Sequence, residues 1–204
     1  MTRMDSAPLR RLDRRIGPLG YYWFLTFEHA PELHALTKTC QQSIDSDYFD
    51  LASQERLHLT LDRIAYDGST SREQLEQITA EARSSCQNQP PLVLSMGELT
   101  NLRGAVGFIA SPTEAVHALR DKLRAATRSV HPDAPTRDSA SKPHVTVAYP
   151  AFEDLTDRAA AMAQTATATI DKVEVEIIEA VMVALERRPH AYEWDVISRI
   201  PLGG

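Results

Sequence analysis

A pattern of five residues occurs twice in the chain, 86 residues apart: Leu57-His58-Leu59-Thr60-Leu61 and Pro143-His144-Val145-Thr146-Val147. In an extended strand the side chains at i and i+2 leave the same face, so each His stands beside its Thr while Leu59 or Val145 turns to the opposite side. The fold must therefore hold two half-buried strands, each with apolar residues on a core and an imidazole and a hydroxyl on the other face. One titratable ring and one hydroxyl per strand suit a phosphate site.

Composition tests how much of this is chance. With 7 His and 30 Ser plus Thr in 204 residues, about one His-x-Ser/Thr arises at random. Requiring an apolar residue on both sides of the Thr, at 43% hydrophobic content, lowers the expectation to about 0.2. It is the shared context, more than the bare repeat, that singles out His58, Thr60, His144 and Thr146.

The length allows one good core, or two small lobes sharing an interface, and a single domain is expected. Residues 1–18 read as a basic arm, with Arg3, Arg10, Arg11, Arg14 and Arg15 interrupted by Asp5 and Asp13, and a frayed, solvated arm is the expectation. No apolar core of a signal peptide follows it and no run spans a membrane, so a cytoplasmic address is expected. A net charge of −6 argues against long duplex nucleic acid and leaves a small phosphorylated ligand or an RNA end. Cys40 and Cys86 fall in helical segments without metal-ligand spacing and read as buried thiols. A monomer is the default.

Along the chain, Tyr21 to Phe27 reads as a first strand, bulky enough for a core and with an aromatic available for a cleft. A helix from Ala30 to Ser46 and the first His strand, Arg56 to Ile64, follow. Ser71-Arg72-Glu73-Gln74 starts a capped helix that Pro90-Pro91 stops. Leu92 to Leu99 and Ala105 to Ala110 are strands joined by a turn at Asn101 to Gly104, and a helix runs from Pro112 to Ser129. His131 to Pro143 is a loop that delivers His144. A helix from Leu155 to Ile170 and strands Lys172 to Glu186 and Ala191 to Ile200 close the chain, with Arg187-Arg188-Pro189-His190 as a turn. Strand-helix-strand-helix groups occur twice, each with a His-x-Thr strand, which predicts two related lobes facing each other. No GxGxxG or GxxxxGK[ST] is present, so the fold class is α+β with largely antiparallel sheets rather than a dinucleotide fold.

These two motifs, with Pro143 introducing the second and a closing Ala191-Tyr192-Glu193-Trp194 to Ile200-Pro201-Leu202, resemble the 2H phosphoesterase superfamily, which includes 2'-5' RNA ligase-like proteins and cyclic phosphodiesterases. The resemblance runs from about Tyr21 to Leu202. It implies a bilobal fold, two pseudo-symmetric lobes of largely antiparallel sheet with flanking helices, and both motifs lining a central cleft. It also implies chemistry on cyclic or 2',5'-linked phosphodiesters without metal or cofactor. Five residues after the second His the RNA ligase-like members often carry Arg, and this chain has Tyr149, which the resemblance makes a substrate-binding candidate with a hydroxyl in place of that phosphate-binding cation. Lys142, or Arg63 at the end of the first motif strand, is an alternative phosphate-binding cation; a solvated lysine and a surface arginine account for the same residues.

Opening a 2',3'-cyclic phosphate needs a base for water and an acid for the departing sugar oxygen, and two facing histidines with pKa values near 6.5 supply both. Thr60 and Thr146 would donate to the non-bridging oxygens. The resemblance points to His58 as acid, while the sequence alone leaves acid and base open. His29, His34, His117, His131 and His190 read as surface or capping residues. The expected activity is a metal-independent phosphodiesterase acting on a small cyclic nucleotide or RNA end. A nucleotide- or RNA-end-binding module without turnover and a 2'-5' RNA ligase are the alternatives.

Overall fold

The computed structural model describes residues 9–136, 142–167 and 171–203. Residues 1–8 of the expected arm, 137–141 of the loop before His144 and the last turn expected of the helix ending at Ile170 lie outside the described residues.

The first strand is longer than the aromatic run that announced it: β1 spans Gly17–Thr26. Pro31 opens α1, Pro31–Gln41, which ends a turn earlier than its apolar spacing suggested. A three-residue strand, β2 (Phe49–Leu51), follows and had no sequence signal, being too short for an alternation to register. The first motif strand, β3, is His58–Ala65. The next helix, α2 (Arg72–Cys86), starts with the anticipated cap, Ser71 and Gln74 forming a reciprocal capping box. The expected strand at Leu92 to Leu99 divides into β4 (Leu92–Met96) and β5 (Leu99–Leu102), which serve different sheets. β6 is Ala105–Ile109, α3 is Thr113–Val130, β7 is His144–Pro150 and α4 is Thr156–Thr167. The long closing strand also divides, into β8 (Val173–Ile177) and β9 (Glu179–Arg187), before β10, Tyr192–Pro201.

Two four-stranded sheets of orders β10-β9-β1-β3 and β2-β7-β6-β5, with the pair β4-β8, make an α+β fold. Neighbouring strands pair antiparallel in all three. Helices α2 and α3 cover the first sheet; α4 packs on β5 and β6, and α1 lies against β7 and β8. The lobes are not successive halves of the chain. β1 starts the first, the chain leaves for β2, returns for β3, and comes back only with β9 and β10. One apolar core runs through both, joining Trp23 and Leu25 of β1 to Phe108 of β6 and Val145 of β7. Cys40 and Cys86 are buried free thiols, and burial pushes the Cys40 thiol up to about 11. Among the described residues no helix is long and apolar enough to cross a membrane.

The other face of the first sheet carries a smaller apolar layer of Tyr22, Phe24, Val181, Val183, Leu185 and Trp194. The aromatic run of β1 is divided between the two layers, Trp23 and Leu25 going to the main core and Tyr22 and Phe24 to this smaller one, and all four are buried. The motif strands β3 and β7 approach one another across the lobe boundary.

Candidate functional site

In both motif strands the pairing slips one residue after the Thr. On β3, Trp23 faces Asp62 and Phe24 faces Thr60, so Leu61 is an extra residue. On β7, Val106 faces Ala148 and Gly107 faces Thr146, so Val147 is extra. A β-bulge reverses the alternation beyond it. The residue five after each His, Arg63 or Tyr149, therefore joins its His and Thr on one face rather than turning into the core. Both bulged strands press against a neighbour without a side chain nearby. A Cβ on Gly107 would sit 2.5 Å from the Val145 carbonyl oxygen, and one on Gly20 would collide with the Ala65 carbonyl, where β3 slips a second time.

The two imidazoles are oriented by the same device. His58 Nδ1 lies 3.0 Å from the Arg56 carbonyl oxygen, and His144 Nδ1 lies 2.8 Å from that of Lys142. A carbonyl only accepts, so in each ring Nδ1 carries the proton and donates, leaving Nε2 with its lone pair when the ring is neutral. His58 is enclosed by aromatic rings: Phe24 stacks on it at 4.3 Å between centroids and Trp194 meets it edge-on at 4.8 Å. That enclosure pushes its pKa down to about 4, against the bond to Arg56 and helped by the nearby His144. Arg56 braces the arrangement from outside, donating to the Trp194 carbonyl at 3.1 Å, pairing with Glu193 at 2.9 Å and lying over the Trp194 ring at 5.0 Å.

Thr60 and His144 line one small cavity of about 40 Å³, with Lys142, His117 and Arg120 around it. The two motifs and Lys142 are thus brought together. Arg63 stands on the same face farther along β3, where Nε donates to the Tyr22 hydroxyl and an outer nitrogen to that of Tyr66, both at 2.9 Å. Tyr149 meets the Thr146 hydroxyl and packs edge-on against Tyr192 at 5.1 Å. Burial, with Tyr192 beside it, raises the Tyr149 phenol above its ordinary value.

Beyond these tyrosines come residues that sequence reasoning did not select. Arg187 is the last residue of β9 rather than part of the turn, and is buried. The Arg-Arg-Pro-His composition reads as a turn, and what places Arg187 in the sheet is its pairing with Gly17 and Tyr192. The described part of the basic arm is docked, Leu12 donating to the Ala151 carbonyl and Glu153 to that of Arg10. Of the other histidines, His34 bonds the Phe27 carbonyl and His190 pairs with Asp50 at 2.8 Å. Among the described residues no group of three or more His, Cys, Asp or Glu side chains is placed to hold a metal.

The model of the 2'-5' RNA ligase superfamily matches residues 27–181. Comparison with the curated proteins finds no match. Among solved structures the chain is similar to E. coli LigT complexed with 3'-AMP, with TM-score 0.66 and 16% identity over 92% of this chain and 99% of that one. LigT complexed with NADP+ gives 0.65 and 17% over 92% and 99%. TT0787 of Thermus thermophilus gives 0.69 and 17% over 91% and 99%. These likenesses establish the bilobal fold, and the family match covers the greater part of the chain, including both His-x-Thr strands: the protein belongs to the 2'-5' RNA ligase superfamily, the two-histidine phosphoesterases.

Proposed function

We propose that the protein is a metal-independent phosphodiesterase that opens a 2',3'-cyclic phosphate on a nucleotide or RNA end, with His58 and His144 as the acid–base pair. The observation that carries this reading is the matched orientation of the rings: each Nδ1 is committed to a carbonyl two residues back, and each Nε2 is left for chemistry. The nucleotide ligands of the LigT structures, 3'-AMP and NADP+, fit the same ligand class for this cleft. A monomer suffices, since both motifs lie in one chain.

His58 is neutral near pH 7 because its surroundings disfavour the charged ring, so it enters the reaction as base and the acid's part falls to His144. This reverses the order that family resemblance suggested. His58 Nε2 takes a proton from water as the water oxygen bonds to phosphorus. The bond from phosphorus to one ribose oxygen breaks on the opposite side, and that oxygen takes the Nε2 proton of His144. The product is a phosphomonoester, and the two rings exchange protons with solvent to reset. Thr60 and Thr146 donate to the non-bridging oxygens, where negative charge accumulates in the transition state. Arg63 and Lys142 add positive charge along the cleft.

The test is hydrolysis of 2',3'-cyclic mononucleotides and short RNAs ending in a cyclic phosphate, in EDTA, by wild type, His58→Ala and His144→Ala. Turnover that survives chelation and is lost in both variants is expected. Nucleotide binding without turnover in wild type would instead make the cleft a binding module, and formation of a 2'-5' linkage with a 5'-hydroxyl RNA would make it a ligase.

A further inference from the structure

Beyond Tyr149 and Tyr192 the inner face ends in two arginines that the two-histidine chemistry leaves unused. Arg187 is 7% exposed and its guanidinium lies over the Tyr192 ring at 4.7 Å. Arg14, half-buried, arrives from the segment before β1. The two guanidiniums are close enough for the charge of Arg187, after burial, to lower the pKa of Arg14. Among the described residues neither makes an ion pair with a carboxylate. Both open onto a pocket of about 190 Å³ that Arg11 and His190 also line. Asp50 reaches this pocket and favours the charged form of Arg14, but its Oδ1 is taken by His190 Nδ1 at 2.8 Å.

Two like charges held together in a partly dehydrated pocket repel, and an anion between them removes the repulsion. Guanidinium forks match the oxygens of a phosphate in pairs. The reacting phosphate lies elsewhere: the cavity lined by Thr60, Lys142 and His144 shares no lining residue with this pocket. Tyr149 meets Thr146 and feels the charges of Arg187 and Arg14. The Tyr192 ring lies 6.4 Å from that of His58 and 4.7 Å from the Arg187 guanidinium, which puts the pocket within reach of a neighbouring phosphate of the same ligand.

We propose that Arg14 and Arg187 form a second anion site for a phosphate that is held and not cleaved. The preferred substrate is then a nucleotide with two phosphate groups rather than a cyclic mononucleotide. This narrows the phosphodiesterase reading and rests on it for the identity of the first phosphate. The second phosphate is either an internal phosphodiester one nucleotide upstream or a 5'-phosphate on the same ribose, and both present the same pair of oxygens.

The experiment compares kcat/KM for three substrates: a 2',3'-cyclic mononucleotide, the same nucleotide with a 5'-phosphate, and a dinucleotide ending in a cyclic phosphate. Wild type is expected to prefer at least one of the latter two by about tenfold to a hundredfold, and the one preferred identifies the source. The preference is expected to fall toward one in Arg14→Gln, which alters a half-buried side chain outside the sheets, and to shrink in Arg187→Lys, which keeps the buried charge. Equal rates on all three, or a preference that both variants retain, overturns the proposal.

Calorimetric binding of a nucleoside 3'-monophosphate and 3',5'-bisphosphate separates this from failure of the catalytic reading. If nothing is turned over but the bisphosphate binds about tenfold more tightly only with Arg14 present, the anion site stands and the phosphodiesterase falls. Equal binding of the two removes the anion site.

Discussion

The imidazole of His58 lies on the ring of Phe24, centroids 4.3 Å apart and planes within 13° of parallel. Water is excluded from one face of the ring by this contact and from its flank by Trp194, which is why its pKa falls to about 4. For kcat/KM, which reports the free protein, the acid limb is then expected near pH 4 rather than near the ordinary imidazole value of about 6.5. Rate measurements between pH 3.5 and 9 in constant ionic strength check this, and an acid limb at the ordinary value would remove His58 as the base.

The same depressed value acts on stability. Above about pH 6.5 the ring is neutral whether the chain is folded or not, and the contribution is complete. As pH falls toward about 4, the unfolded chain takes up the proton first and folding loses up to about 3 kcal/mol. Urea unfolding of wild type and His58→Asn at pH 7 and pH 4.5 is expected to show the larger acid loss in wild type.

Replacing Phe24 by Leu keeps the apolar layer but removes the stacked ring. Stability is expected to fall by about 1–2 kcal/mol, and the acid limb to move up toward the ordinary imidazole value as water reaches His58. A pH–rate profile identical to wild type would assign the low pKa to something other than this stacking.

Thr60→Val and Thr146→Val preserve shape and strand preference and delete one donor each. Each is expected to lower kcat about tenfold to a hundredfold, or about 1.5–3 kcal/mol, with thermal stability little changed in Thr60→Val and reduced by about 1–3 kcal/mol in Thr146→Val, which also takes a partner from the buried Tyr149 phenol. A defect confined to KM would show that the hydroxyl binds substrate equally before and during reaction.

Asp62, 1% exposed, is held by Arg124 of α3 at 2.6 Å and accepts from the Arg63 backbone at 2.9 Å. It sits immediately after the Leu61 bulge and fixes that segment to the helix behind it. Arg124→Met removes this ion pair from a buried carboxylate and is expected to cost about 3–5 kcal/mol, measured by urea unfolding at pH 7.

His58, Thr60, His144 and Thr146 were legible in sequence because a period of two needs only the next-but-one residue to be interpreted. The α2 cap was legible because Ser71 and Gln74 carry their own local hydrogen bonds. The bulges were not: Leu61 and Val147 are ordinary strand residues, and the slip appears only when partner strands are registered. For the same reason Arg63 and Tyr149 could be noted by spacing but not assigned a face. Phe24 and Trp194 come from strands far apart in sequence, and Arg14 and Arg187 are joined only by the return of β9 to lie beside β1.

Because the chain passes back and forth between the lobes over a shared apolar core, neither lobe is a segment that a protease could release intact. Unfolding is therefore expected to take both lobes together, as one cooperative transition, rather than in two separable steps.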